Sequence, residues 1–282
     1  MSNQQLKPSK RVQDIQERCL ELAAVTRERD FAQVIQLPLW HEPKRGTPNS
    51  FIRSALFAAI QSKDRTFVKD KILASQEGIT VKFTGEQLNQ EDLTVWETLV
   101  HLARKNPLGH EFSFTGYGIL KTLGLPKSTD HYKTLEASIN RLTACLVRIE
   151  NKKYVYGGGL IHSFVIDKDT KHFKIELNRE LIKLFSEDDW TGIEWQQRLE
   201  LRRKPLAQAL HAYFSSHSKP HPIKLTTLKA LTGSRNTQPA GFKRNCRNAL
   251  DALVKIGFLQ SYEMNCDLVM VQRIHRALPS NQ

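Results

Sequence analysis

The chain has 282 residues, of which 40% are hydrophobic, and this length is sufficient for two compact modules with separate cores. It carries 42 Lys and Arg against 29 Asp and Glu, which gives a net charge of +13. Such an excess of positive charge favours polyanionic partners, with nucleic acid ahead of an acidic membrane surface. The alternative is a soluble basic protein that binds no polyanion.

The N-terminal sequence lacks the apolar core of a signal peptide, and no apolar run approaches the roughly 20 residues needed to span a bilayer. The cysteines, Cys19, Cys145, Cys246 and Cys266, form no CxxC pair. This pattern is typical of the reduced thiols of a cytosolic protein. We therefore expect a cytoplasmic protein without a membrane span.

Residues 1–49 are predicted to form a flexible tail. Apolar residues at helical spacing, from Val12 to Leu22, predict a modest amphipathic helix over 10–30. Two prolines and a glycine among the polar residues of 41–49 predict a linker.

The pentapeptide Gln36-Leu37-Pro38-Leu39-Trp40 resembles the peptide with which bacterial proteins bind the sliding clamp of the polymerase. Pro38 favours an extended backbone, Leu39 and Trp40 offer an apolar anchor, and Gln36 offers hydrogen bonds. The predicted clamp-binding residues are Gln36, Leu37, Leu39 and Trp40. The alternative is that the apolar side chains of this segment fold back onto a module.

A first module is predicted over 50–189, from helical and strand-like patterns separated by turn residues. Its predicted helices are Phe51–Ile60, Leu93–Lys105, Thr115–Leu123 and a longer one that Ser128 or Thr129 caps and that runs to about Leu146. Its predicted strands are Ile79–Phe83, Leu146–Ile149, Tyr154–Tyr156, Ile161–Ile166 and His172–Leu177.

A second module is predicted over 190–276, followed by a short tail at 277–282. Its predicted helices are Glu194–Ser216, which Pro205 should break or kink, Thr226–Leu231 and Gly241–Ile256. Its predicted strands are Ile223–Leu225 and a closing hairpin of Phe258–Tyr262 and Leu268–Ile274.

The two modules share one order of elements: helix, short strand, short helix, turn, longer helix, hairpin. The sequence Leu120-Lys121-Thr122-Leu123-Gly124 matches Leu228-Lys229-Ala230-Leu231-Thr232-Gly233, and β-like sequence follows each longer helix directly. A helix-turn-helix followed by a hairpin is the winged-helix arrangement, whose second helix enters the major groove. We therefore predict an α+β fold of two tandem winged-helix domains after a flexible tail. The alternative is an unrelated pair of small α+β modules.

The predicted helix 241–256 has one apolar face and one cationic face. Arg can bind guanine and Asn can bind adenine through their major-groove edges. The predicted DNA-binding residues here are Lys243, Arg244, Arg247 and Asn248, with Arg235 in the preceding loop. The alternative is an ordinary solvated basic face.

The predicted helix 128–146 gives a weaker signal, because acidic residues offset its positive charge. Its hydroxyl, aromatic and basic side chains still suit contacts with phosphates and bases. The predicted DNA-binding residues of this module are Thr129, His131, Tyr132, Lys133, Arg141, Lys152 and Lys153. Arg202 and Arg203, in a basic run before Pro205, are either DNA-backbone contacts or solvated surface.

The sequence contains no P-loop motif and no His-x-His pair of a metal-dependent nicking enzyme. His217 and His221 are four residues apart, but Pro220 lies between them and no cysteine pair accompanies them. We therefore predict no catalytic residue, no metal and no cofactor. A relaxase or another DNA-processing enzyme is the rival of a different class.

With its clamp-like peptide, the segment 120–146, the run 195–205 and the helix from Gly241, the chain resembles the Rep winged-helix initiators of plasmid replication, specifically the TrfA type of IncP broad-host-range plasmids. The resemblance implies binding to tandem direct repeats (iterons) at a plasmid origin and opening of the adjacent AT-rich region, with contacts to its single strand. It implies host DnaA, the DnaB helicase and the sliding clamp as partners. It also implies an inactive dimer, an active monomer and copy-number control, in the bacterial cytoplasm. A two-domain winged-helix transcriptional repressor is the alternative function.

Overall fold

The computed structural model describes residues 11, 15, 17–21, 35–186 and 189–274. Met1–Ile35 form one unit, in which the described residues 11, 15 and 17–21 are helical, as the spacing of apolar residues predicted. A second compact unit starts at Gln36. The rest of the predicted tail helix and the tail at 277–282 lie outside the described residues. No helix within the described ranges is long and apolar enough to cross a membrane.

Helices and strands alternate along the second unit. The helices are α1 (Asn49–Ile52), α2 (Gln90–Ala103), α3 (Gly116–Thr122), α4 (Thr129–Ala144), α5 (Trp195–Glu200), α6 (Pro205–Ser215), α7 (Leu225–Leu231) and α8 (Pro239–Lys255). The first strands are β1 (Lys44–Pro48), β2 (Phe57–Ala58), β3 (Phe67–Leu73), β4 (Thr80–Glu86), β5 (Leu88–Asn89), β6 (Phe112–Thr115) and β7 (Leu146–Glu150). They continue with β8 (Val155–Gly158), β9 (Ser163–Ile166), β10 (His172–Glu176), β11 (Trp190–Glu194), β12 (Ile223–Lys224), β13 (Leu259–Asn265) and β14 (Leu268–Arg273). Short 3-10 helices lie at Ser62–Asp64 and Arg179–Phe185.

The first module contains a winged helix built from α2, α3, α4 and an antiparallel sheet of order β6-β10-β9. Ser128 caps α4, because its Oγ accepts a hydrogen bond from the His131 backbone N–H at 3.2 Å. The helices bury Leu99, Leu120 and Ile139 almost completely. This core fixes α3 and α4 as the helix-turn-helix and β9–β10 as the first wing.

The strands β7 and β8 do not belong to this wing, although their sequence follows the longer helix directly. They join β3 and β4 in a separate antiparallel sheet of order β3-β4-β7-β8. Val147 pairs with Phe83, Ile149 pairs with Val81, and all four side chains are buried. The distant strand β4 supplies the apolar partners of β7, so the sequence order alone suggested a hairpin in the wrong sheet.

The second module is a winged helix of α6, α7 and α8 with a sheet of order β12-β14-β13. Its core includes Leu210, Phe214, Leu228, Cys246 and Leu250. The second wing is β13–β14. The predicted interruption at Pro205 is confirmed: α5 ends at Glu200, and Pro205 occupies the first turn of α6, where its missing N–H and fixed φ are tolerated.

The segment 36–48, which we predicted to be part of the tail and linker, is folded into the second unit. β1 pairs antiparallel with β11, from Lys44 opposite Glu194 to Pro48 opposite Trp190. Gly46 is needed for packing rather than for flexibility, because a Cβ there would lie 2.5 Å from the Trp40 ring. A linker was predicted wrongly here because the partner strand is far away in the sequence. Residues 190–194 were predicted to begin the second module, but as β11 they pair with β1.

Candidate nucleic-acid interface

The helix α8 presents a cationic face to solvent and buries the opposite face. Arg244, Arg247 and Asn248 are exposed, whereas Phe242 and Cys246 are buried in the core of the second module. Guanidinium and carboxamide groups can form paired hydrogen bonds with guanine and adenine in the major groove. The polarity that the sequence predicted for this helix is therefore present in the fold.

The second wing is attached to α8 by side-chain hydrogen bonds. The Lys243 Nζ donates to the Cys266 carbonyl oxygen at 3.0 Å, in the turn between β13 and β14. The Tyr262 hydroxyl on β13 donates to Asp251 Oδ1 at 2.5 Å. Burial and this carboxylate raise the pKa of Tyr262 to about 12, so the hydroxyl stays protonated. The helix α8 and the second wing thus form one continuous surface, in which the Asp251 carboxylate accepts a hydrogen bond from Tyr262.

The helix α4 presents fewer free polar groups than the sequence predicted. Thr129 and Lys133 are exposed near its N-terminus. The His131 Nδ1 lies 2.9 Å from both Ser128 Oγ and the Pro126 carbonyl oxygen, so its ring is turned back onto the helix cap. Tyr132 packs over Gly116, where a Cβ would lie 2.7 Å from the Tyr132 ring.

Arg141 is engaged inside the protein. Its Nη2 lies 2.8 Å from Asp92 Oδ1, and Asp92 is fully buried and also bound by Arg65 and Ser138. Asp92 in turn belongs to the capping box at the start of α2. The Arg141 guanidinium, which was predicted to contact DNA, therefore forms an ion pair that joins α4 to α2. The buried Asp92 carboxylate requires such a partner.

Lys152 and Lys153 are exposed, but they lie in the turn between β7 and β8 and not in the first wing. Lys153 also lies 3.8 Å from Asp189 Oδ2. Lys168 and Lys171, which were not predicted to bind DNA, lie at the tip of the first wing between β9 and β10. A turn with two lysines between two strand-like runs, 167–171, was the available signal.

The first wing and α4 enclose an open groove of about 910 Å³. Its lining includes Lys127, Thr129, Lys133, Lys168 and Lys171. Glu136 and Asp169 also line it, so the groove is net positive. Lysines spaced in this way suit phosphate contacts beside a recognition helix.

Arg202 and Arg235 also have protein partners. The Arg202 Nη1 donates to the Gly124 carbonyl oxygen at 3.0 Å, and the Arg235 Nη2 donates to Thr66 Oγ1 at 2.6 Å. Arg203, beside Arg202, is exposed. Arg202 and Arg235, both predicted to bind DNA, therefore also bond to protein groups, whereas Arg203 is exposed.

The model of the family described as TrfA protein matches residues 10–273. The chain belongs to the TrfA family. It is similar to the plasmid replication initiator protein TrfA of Escherichia coli, with 28% identity over 242 residues, which cover 83% of this chain. The match spans 63% of the length of that relative.

Among solved structures, domains 2 and 3 of RctB overlap this TrfA family member with a TM-score of 0.54 and 12% identity, over 80% of this chain and 98% of that chain. A structure of the Pi initiator protein in complex with iteron DNA overlaps less closely, with a TM-score of 0.49 and 12% identity, over 64% of this chain and 90% of that chain. The first of these confirms the fold.

In this TrfA family member, the pentapeptide Gln36–Trp40 is packed against the first module. Leu37 and Trp40 are buried, whereas Leu39 is 73% exposed. The Trp40 Nε1 donates to His101 Nδ1 at 2.9 Å, and the ring stacks on Phe185. Burial lowers the pKa of His101 to about 4, which keeps the imidazole neutral and able to accept this bond. The described conformation is thus the folded-back alternative, and clamp binding stays a prediction.

Within the ranges that the structure describes, no three His, Cys, Asp or Glu residues are grouped so that they could hold a metal ion.

Proposed function

We propose that this TrfA family member is a plasmid replication initiator that binds tandem direct repeats at a plasmid origin through both of its winged helices. The observation that supports this most strongly is the pair of complete winged-helix modules in one compact unit, each with its recognition helix exposed. The family match over residues 10–273 favours an initiator over other winged-helix proteins.

The two modules have different tasks in this proposal. Arg244, Arg247 and Asn248 of α8 read base edges, because guanidinium and carboxamide groups can discriminate base pairs in the major groove. Thr129 and Lys133 of α4, with the lysines of the first wing, bind the phosphate backbone and set the register. Because both modules are in one chain, binding of the first raises the effective concentration of the second.

Binding of adjacent repeats also supplies the energy for opening the DNA. Bending a short site requires on the order of 1–6 kcal/mol, which protein–DNA contacts can offset. The opened AT-rich region then receives the host DnaA and the DnaB helicase. A dimer of this chain is the inactive form and limits copy number.

The sliding clamp binds Gln36–Trp40 only when this segment leaves the first module. In the described conformation Trp40 is buried. Because free energy is needed to release it from the first module, the apparent affinity of the intact chain for the clamp is reduced. A synthetic peptide of residues 35–41 should therefore bind the purified clamp more tightly than the intact protein does. Equal binding by a Trp40→Ala, Leu39→Ala peptide would show that these side chains do not dock.

Fluorescence anisotropy tests the DNA-binding part of the proposal. The intact chain is titrated into a duplex with tandem origin repeats and into a scrambled duplex, across a series of salt concentrations. We expect a preference for the repeats that persists as salt rises, with a salt slope of about −0.9 for each phosphate contact. Equal affinity for both duplexes would overturn the proposal.

A plasmid-maintenance assay separates an initiator from a transcriptional repressor with the same fold. The chain is supplied in trans to a small plasmid that carries the origin and no initiator gene. An initiator maintains this plasmid, whereas a repressor binds the origin without maintaining it. A matched chain with Arg244→Ala and Arg247→Ala should fail in both the binding and the maintenance assays.

A further inference from the structure

The turn of the first helix-turn-helix is held by the second module. Arg202 lies in the segment between α5 and α6, and its guanidinium donates to the carbonyl oxygens of Leu123 and Gly124. These two residues follow α3 directly and begin the turn that leads to α4. The carbonyl groups at the end of a helix lack partners in the helix itself, so a guanidinium is well suited to bind them.

The turn of the second helix-turn-helix is held by the first module. The Ala59 N–H donates to the Thr232 carbonyl oxygen at 2.7 Å. Arg235, in the loop before α8, donates to Thr66 and Gln87 beside the strands β3 and β4. Gly233 is so close to the first module that a Cβ there would lie 2.9 Å from the Ala58 Cβ.

The contacts at these two turns are therefore reciprocal, because each module holds the turn that precedes the recognition helix of the other module. A deeper contact joins the same bodies: the Arg198 Nε of α5 lies 2.7 Å from Glu97 Oε2 of α2, and both side chains are fully buried. The deeper pair keeps the modules together. The contacts at the turns lie in the segments that lead into α4 and α8.

We propose that Arg202 and Arg235 are positioning residues that fix the separation and helical phase of the two recognition helices. This inference rests on the proposed function, in which both winged helices of one chain bind the origin repeats and their recognition helices enter successive major grooves. A rigid pair of helices fits only one spacing between half-sites, whereas a loosened pair accepts several spacings and binds each less tightly. We call Arg202 and Arg235 the joint.

A DNA spacing series tests the joint. The probes are one origin repeat and derivatives with base pairs inserted at its centre, up to about 5, which is half a helical turn. The parent should lose affinity steeply along this series. The Arg202→Ala, Arg235→Ala variant should bind the native spacing about tenfold more weakly and lose less affinity with each insertion. A variant profile parallel to that of the parent would overturn the inference.

Arg203→Ala is the matched control, because it removes the same charge next to Arg202 from an exposed position. It should retain the steep spacing profile of the parent. If Arg202 acted only as a phosphate contact, Arg202→Ala and Arg203→Ala would both weaken binding equally at every spacing.

A distance measurement without DNA tests the joint independently. Spin labels are placed at Asn140→Cys on α4 and Lys255→Cys on α8, both exposed, with the exposed Cys19 and Cys266 replaced by Ser. Pulsed electron paramagnetic resonance should give one narrow distance distribution for the parent and a broader one for the joint variant. Identical distributions would overturn the inference. If the parent shows no preference for repeats, the proposed function is wrong. The distance distributions still show whether Arg202 and Arg235 hold the two recognition helices in fixed positions.

A pair of glycine variants tests the same contact by adding an atom. Gly233 and Gly257 have φ values of +60° and +67°, so Ala is strained similarly at both. A Cβ at Gly233 meets Ala58, whereas a Cβ at Gly257 has nothing within 4 Å. Gly233→Ala should broaden the spin-label distances and Gly257→Ala should not. Equal effects of the two variants would contradict the proposed packing.

Discussion

The two recognition helices have the same place in their modules, but their polar residues are used differently. On α8 the cations Arg244 and Arg247 are free and exposed. On α4 Arg141 is bonded to the buried Asp92, and His131 is turned onto the helix cap. Basic residues on a helix are therefore available for DNA contacts only when the protein itself offers no carboxylate or carbonyl partner.

In the proposed function this difference corresponds to two roles. The exposed guanidinium and carboxamide groups of the second module would contact bases, and the exposed lysines on α4 and the first wing would contact phosphates. Substitution of an arginine should thus reduce stability in the first module and DNA affinity in the second.

The largest effect is expected from Arg141→Ala. This change leaves Asp92 buried with fewer partners, and breaking a buried ion pair costs roughly 3–5 kcal/mol. Because Arg65 and Ser138 remain bonded to Asp92, we expect the free energy of unfolding to fall by about 2–3 kcal/mol. Urea denaturation measures this change. The exposed neighbour Asn140→Ala is the control, and an equal, small effect of both variants would show that the ion pair is unimportant.

The second largest effect is expected from Arg244→Ala and Arg247→Ala. Each should reduce the affinity for origin repeats by roughly 1–3 kcal/mol and relax the sequence preference, because a base contact is lost. The free energy of unfolding should remain unchanged, since both side chains are exposed. Anisotropy and urea denaturation together test this contrast. Lys255→Ala, at the far end of α8, is the control. An equal loss of affinity in this variant would mean that DNA binding depends only on the total charge.

Both modules should lose stability in acid, because burial lowers the pKa of His101 in the first module and of His211 in the second. His211 of the second module is fully buried, and burial lowers its pKa to about 3. The unfolded chain takes up a proton near pH 6.5 while the folded chain does not, so stability is lost as the pH falls from about 6.5 toward 3. The loss is at most about 1.4 kcal/mol for each pH unit. His211→Gln should reduce the pH dependence of the free energy of unfolding in urea denaturation, with the contribution of His101 remaining, and exposed His162→Gln should leave it unchanged. A parent profile that is flat down to pH 5 would contradict this assignment.

The smallest effects are expected from single lysines around the groove of the first module. Lys133→Ala and Lys168→Ala should weaken binding to repeats and to scrambled DNA alike, and each should reduce the salt slope by about 1. Lys152→Ala, on the separate sheet, is the control and should leave the slope unchanged. A larger change at Lys152 than at Lys168 would place the DNA on the other sheet.

Much of the fold follows from local sequence patterns. The apolar spacing of α8 and the matching turn glycines, Gly124 and Gly233, predicted both helix-turn-helix motifs, and both glycines have positive φ. The break at Pro205 was also predicted, because proline cannot continue a helix from its interior.

Most of the contacts that the sequence did not reveal join distant segments. β1 pairs with β11, β7 pairs with β4, and Arg202 binds the turn at Gly124. Local patterns give the type and face of an element, but they do not give its partner. For the same reason, a linker was predicted at 41–49 where the chain forms a strand, and free cations were predicted where the protein provides carbonyl and carboxylate groups.

The proposed function requires that both recognition helices of one chain enter successive major grooves of a repeat and that α8 contacts most of the bases. Dimethyl sulfate protection of guanine N7 on an origin duplex tests this directly, because that atom lies in the major groove. We expect two protected patches in each repeat, about one helical turn apart on one face, with Arg247→Ala removing protection from only one of them. A single patch in each repeat, or protection unaffected by Arg247→Ala, would contradict the account.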